Sequence, residues 1–171
     1  MKKNKYTYLF IFSTLCLLTI SGCAKIETTP LEERLPLFDW SSMHVHTVYG
    51  IEDNTGLSEV VTDYYTYEHR SLYYNCLFEF TGNDVKFYEI RLFGFENDTL
   101  LIDAGTWTLQ SDKISFNESF RSSFNEYFGF SPETGYYETV SYRGILHLGS
   151  KYYDPERGTQ NYKILELGVR N

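Results

Sequence analysis

Cysteine is scarce in this chain: three in 171 residues, at positions 16, 23 and 76. Cys76 stands alone in the body of the sequence, so stability has to come from an apolar core rather than from staples. Positive charge is scarce as well. Lys and Arg number 15 against 23 Asp and Glu, for a net charge of −8, and three of the positives (Lys2, Lys3, Lys5) fall in the first 22 residues. The remainder is therefore near −11, which speaks against nucleic acid as a partner, because phosphates need Lys and Arg to neutralise them. Long apolar runs are missing: the run from Leu9 to Ile20 falls short of the about 20 residues a bilayer-spanning helix requires. There is no G-x-S-x-G elbow and no glycine-rich loop leading from a strand into a helix. No nucleophile, base and orienting group can be assembled either, so no enzyme and no cofactor is expected.

Aromatic residues are abundant, at 18% of the chain, with 16 Tyr and 13 Phe. Such residues favour pleated, half-buried surfaces, so the composition leans to an all-β fold. The clearest local signal is Ala104 to Phe116, AGTWTLQSDKISF. Trp107 and Leu109 alternate with Thr106 and Thr108, and Ile114 and Phe116 resume the apolar face after Gln110-Ser111-Asp112-Lys113. That is the period-2 pattern of a half-buried antiparallel hairpin.

The N-terminus has a basic start, the short apolar run, and then Ile20-Ser21-Gly22-Cys23. An aliphatic residue, two small ones and a cysteine at this spacing resemble the lipobox of bacterial lipoproteins. The resemblance implies that residues 1–22 are a signal peptide and that Cys23 accepts lipid. It also implies a membrane anchor, in the outer rather than the inner membrane because Ala24 is not Asp. Two acyl chains, at about 0.8 kcal/mol per buried CH₂, already hold a protein stably. Residues 23–38, with Pro30, Pro36 and three glutamates, are expected to form an extended tether, and residues 39–171 a single domain.

Within that domain, Asp39 to Gly50 reads as the first strand, with Met43, Val45, Thr47 and Tyr49 alternating with His44, His46 and Val48. Leu57 to Arg70 is ambiguous. Leu57, Val60, Val61, Tyr64 and Tyr65 have helical spacing, yet β-branched and tyrosine-rich content favours a loop and a strand from about Thr62. Ser71 to Phe80 reads as one strand, with Leu72, Tyr74, Cys76, Phe78 and Phe80 on one face and a turn at Thr81-Gly82-Asn83-Asp84. Val85 to Phe95 returns, with Val85, Phe87, Phe93 and Phe95 in phase, and Glu96-Asn97-Asp98 turns before a short strand at Leu100 to Asp103. Phe120, Phe124, Tyr127 and Phe128 have helical spacing after a capping Asn117, which predicts one short helix within 117–130, or an excursion over one barrel end. Thr139 to Leu148 and Gln160 to Val169 complete the sheet, joined by a turn region at 154–158. The expectation is an antiparallel meander of about eight strands closing into a barrel, which removes exposed edges.

Three motifs carry a family resemblance: Tyr74-Asn75-Cys76-Leu77-Phe78-Glu79-Phe80, the Gly82 turn, and Gly105-Thr106-Trp107-Thr108-Leu109 with Asp112, Ile114 and Phe116. Together they resemble the lipocalin-like domain of small envelope lipoproteins of Bacteroidetes-type bacteria. The resemblance spans roughly residues 70–116 and implies a partly open, eight-stranded barrel; some members pair the strand cysteine with a second one, which this chain lacks.

Two readings of the aromatic residues stay open. Tyr74, Phe78, Phe87, Trp107 and Phe116 could line a cavity for a small apolar or glycan-like ligand, or they could fill the barrel. Tyr136, Tyr137, Tyr152 and Tyr153 could form an exposed surface for an envelope protein partner. His44 and His46 share a strand face, so both could meet one metal ion, with Glu68, His69 or His147 as candidate third ligands. With no spacing linking those candidates, the expected role of the pair is solvent-facing or turn-adjacent, and no metal is assigned. The leading expectation is a lipid-anchored, non-enzymatic binding module; the alternative is a structural or interaction subunit of an envelope complex, and a more distant one is a metal-dependent enzyme.

Overall fold

The structure, a computed structural model, describes residues 29–63, 66–93, 96–132 and 134–170. The expected signal peptide over residues 1–22, the box Ile20–Cys23, and Tyr64, Tyr65 and Phe95 lie outside the described residues. The chain divides into two compact units, residues 1–34 and 35–171. The described part of the first carries one helical turn, α1 (Leu31–Arg34), in which the Glu33 and Arg34 N–H groups donate to the Pro30 carbonyl. The second unit opens with a 3₁₀ turn, Leu35–Leu37. These turns replace extended chain over 31–37. Pro36 is tolerated because it sits in a first turn, where a missing N–H costs no internal bond. Trp40 Nε1 donates to the Leu35 carbonyl at 3.1 Å and both residues are buried, so the packing of this unit already includes Leu35.

The second unit is an antiparallel meander: β1 (Asp39–Ile51), α2 (Leu57–Thr62), β2 (His69–Tyr73), β3 (Cys76–Thr81), β4 (Asp84–Phe93), β5 (Glu96–Gln110), β6 (Lys113–Phe116), α3 (Glu118–Phe128), β7 (Tyr137–Tyr142), β8 (Ile145–Asp154) and β9 (Thr159–Arg170). Strands 3 to 9 pair in sequence order, and β1 pairs with both β3 and β9, so the sheet closes in a ring. β2 and β3 both run antiparallel to β1. They are the two halves of the predicted Ser71–Phe80 strand, interrupted at Tyr74-Asn75. Beyond the interruption Leu72 leaves the core and is 42% exposed, while Cys76, Phe78 and Phe80 stay buried.

Other boundaries differ from the sequence reading. Residues 96–98 do not turn; they begin a continuous 15-residue β5. The predicted Thr139–Leu148 strand is two strands, separated by a turn at Arg143-Gly144 in which both residues have positive φ (52° and 78°), as two-residue hairpin loops require. Leu57–Thr62 is helical, so the stripe of Leu57, Val60 and Val61 prevailed over β-branched propensity; all three are buried. Packing of an apolar face outweighs intrinsic preference in so short a segment.

Helix α3 fills the ring. Phe124 meets Phe78 of β3 and Tyr137 of β7, and Phe120 meets Phe87 of β4 and Phe116 of β6. Contacts to strands so far apart in the order require an interior position. Asn117 precedes the helix as expected but does not cap it with its side chain; its Oδ1 accepts the Thr106 N–H instead, at 2.7 Å. Gly105 lies directly beneath, where an added Cβ would stand 2.5 Å from Phe120 Cβ. The helix ends at Gly129 in the left-handed conformation, and Lys163 Nζ of β9 donates to the Gly129 carbonyl.

The outer face of the closing strands is also covered. Cross-strand partners share a face, and the pairs Val48↔Tyr162 and His46↔Ile164 turn away from the pair Val45↔Leu165. α2 lies on the first set. Leu57 occupies the space a Cβ on Gly149 would need. Val48, Val60, Val61, Tyr162 and Ile164 form a second buried cluster there. β9 is therefore buried on both faces, Lys163, Leu165 and Leu167 inward, Tyr162, Ile164 and Glu166 outward. Among the described residues no helix is long and apolar enough to cross a membrane.

Candidate binding cleft

Next to α2 on this outer face is a cleft of about 330 Å³. Val61, Tyr142, Ile145 and Ile164 give it an apolar wall, Arg143 stands at its rim, and three histidines and one glutamate line the rest. Register builds the polar part. β1 presents His44 and His46 on one face. β9 runs beside β1 and offers Glu166, two positions past Ile164, the partner of His46. β8 pairs on the other side of β9 and sets His147 opposite Glu166.

Glu166 is the hub. Its Oε1 lies 3.1 Å from His46 Nε2 and 3.5 Å from His147 Nε2, and its Oε2 lies 3.5 Å from His44 Nδ1. Burial works against its charge, but hydrogen bonding and the electrostatic influence of His147 and His46 outweigh it, and the carboxyl is held well below the usual carboxylate range. Supporting groups orient the rings. His46 Nδ1 is 2.7 Å from Ser71 Oγ, its cross-strand partner on β2. His147 Nδ1 is 3.3 Å from the Val140 carbonyl of β7. A carbonyl only accepts, so Nδ1 carries the proton. The His44 ring packs edge-on against Tyr73 of β2 at 5.7 Å.

The structure brings together three of the sequence candidates, His44, His46 and His147, and leaves out two. Glu68 is exposed and pairs with Arg157 at 3.4 Å; His69 is exposed with its Nδ1 near the Tyr67 carbonyl. His46 is 8% exposed, which corrects the solvent-facing or turn-adjacent expectation for that ring, whereas His44 keeps 42% of its side chain exposed. Glu166 was not singled out from the sequence. The one local sign of it is an acidic residue in phase with Tyr162 and Ile164 inside an otherwise apolar strand.

The aromatic candidates lie elsewhere. Phe78, Phe87 and Phe116 are buried against α3, and Trp107 packs edge-on against Phe80. Tyr74 is half-buried against Tyr127 and Phe128. Tyr137 is fully buried, so it cannot belong to an exposed tyrosine surface; its hydroxyl donates to Asn125. Cys76 is buried and behaves as a small core residue, its thiol pushed up by burial. Against known proteins, the chain matches no family model and no curated protein.

Proposed function

We propose that this protein is a lipid-anchored envelope protein working as a non-enzymatic binding module, and that its binding site is the outer cleft rather than the ring interior. One observation carries the reading. The cleft combines an apolar wall with convergent imidazoles and a carboxylate, the composition expected of a small-ligand site, while α3 occupies the interior that a lipocalin-like barrel would offer. The ligand class is a small molecule or ion with a polar group that reaches Glu166 and the histidines. The anchor rests on the Ile20–Cys23 box.

The test is native mass spectrometry of the full-length protein, isolated in detergent from its own membrane. An adduct that leaves under activation while the covalent acyl groups remain is the expected result. It should be lost in Ile145→Asp, at the cleft wall, and kept in Leu100→Asp, on an exposed stretch of β5. A bare mass, or an organic adduct indifferent to Ile145→Asp, would overturn the cleft as the site.

A further inference from the structure

The geometry points to a site for a divalent transition-metal ion, of the Zn²⁺ or Cu²⁺ class, at the polar floor of the cleft, held by His44, His46, His147 and Glu166. This rests on the cleft being the binding site and names what it binds.

Distances support it first. One ligand atom each from His44, His46 and Glu166 can be chosen so that all lie within 4.8 Å of one another. Metal–ligand bonds of about 2.0–2.1 Å in a tetrahedron put neighbouring ligand atoms about 3.4 Å apart. The approaches of His46 and His147 to Glu166 Oε1, at 3.1 and 3.5 Å, bracket that spacing, and His44 approaches the other oxygen, Oε2, at 3.5 Å. His147 stands outside that trio and joins as the fourth ligand through its approach to Glu166, and His44 is the partly exposed ring of the set.

Orientation supports it independently. Two of the three imidazoles have one nitrogen occupied away from the cluster, His46 by Ser71 Oγ and His147 by the Val140 carbonyl, and the other turned to Glu166. This is how a metal-binding imidazole is oriented and its tautomer set. For His147 the consequence is chemical. Nδ1 holds the proton, so in the neutral ring Nε2 presents a lone pair to a carboxylate oxygen. Two lone pairs facing each other at 3.5 Å need a cation between them, and a metal ion or a proton can serve.

The donor set selects the metal. Three imidazoles and one carboxylate suit zinc or copper, and copper(II) should bind more tightly. Calcium and magnesium require mostly oxygen donors, and this floor offers one carboxylate.

The experiment uses full-length protein in detergent, stripped with chelator and titrated at pH 7.5 with zinc chloride, then with copper(II) and calcium chloride, by calorimetry and native mass spectrometry. One equivalent of zinc is expected, with affinity at least tenfold lower in both His44→Ala and Glu166→Gln and no calcium uptake. His44 is exposed enough for its variant to fold, and circular dichroism checks this. Failure to bind either zinc or copper at about 100 μM would overturn the inference, as would wild-type affinity in His44→Ala. Competition separates a metal from a proton: the apparent affinity should fall as the pH is lowered, because an imidazole must give up its proton to bind a metal, and a flat profile would count against imidazole ligands. If zinc fails but an organic adduct is still lost in Ile145→Asp, the cleft remains the binding site and only the metal is refuted. If both fail, both readings fall.

Discussion

Single buried hydroxyls show how closely this protein couples polar groups to its core. Tyr162 is fully buried, and its hydroxyl donates to both oxygens of Glu138 at 2.9 Å. Glu138 also accepts the Leu57 N–H at 3.2 Å, so one carboxylate joins β7, β9 and the start of α2. Burial, then the Glu138 charge, pushes the Tyr162 phenol far up; burial does the same to Tyr137 and Tyr127. An acid whose folded value is raised contributes stability that is complete below its unfolded value, 10.0, and that is lost as the pH climbs toward the folded value. Stability measured by urea denaturation should therefore be level up to about pH 9 and fall above pH 10. Tyr162→Phe should cost about 1.5–3 kcal/mol at pH 8, as expected for a hydrogen bond to a charged group, and should flatten part of the alkaline decline. An unchanged alkaline slope would show that Tyr162 is not the coupled group.

Among the elements, α3 carries the greatest burden. Phe124 is fully buried and its ring meets Phe78, Phe116, Phe120, Phe128, Phe130 and Tyr137. Phe124→Ala should destabilise the fold by about 3–5 kcal/mol, the range for a large aromatic lost from a core. Gly105→Ala tests the same packing from the sheet side. Its new Cβ meets Phe120 Cβ and Cγ and the Asn117 Oδ1 that accepts the Thr106 N–H, so α3 has to move. Overpacking of this kind costs about 1–3 kcal/mol. Thermal melts of both variants check the pair, and a Gly105→Ala protein as stable as wild type would mean that α3 is not seated on β5. The helix was readable from Phe120, Phe124 and Phe128, whose spacing is local. α2 was readable only in part, because the helical stripe of Leu57, Val60 and Val61 competed with β-branched and tyrosine-rich content, and Gly149 and Tyr162, which the helix packs on, are remote in sequence.

Across the protein, residues 35–171 form a ring of strands with one helix inside and another against its outer face. The lipid anchor proposed from the Ile20–Cys23 box predicts that Cys23→Ala leaves the protein soluble, unprocessed or mislocalised. Cell fractionation reads this directly, and a Cys23→Ala protein found in the membrane fraction like wild type would refute lipid anchoring. The ring explains how the described residues hold together with Cys76 a free thiol: closure through β1 and β9 gives every ring strand two neighbours, and β9 buries Leu165 and Leu167 on one face and Tyr162 and Ile164 on the other.

Period-2 alternation, the turn residues at 82–83, 111–112 and 154–158, and the phenylalanine spacing of 120–128 were legible without a structure, and they establish an antiparallel meander with one helix in 117–130. These signals are local, each set by neighbours a few residues away. The same alternation places His44 and His46 on one face of β1. It cannot say which strand lies beside them, because register between β1 and β9 joins positions more than a hundred residues apart and is settled by packing. That register brings Glu166 to the two histidines. The pairing of β8 with β9 adds His147, and α2 covers the face so that the cluster lies in a cleft instead of open water.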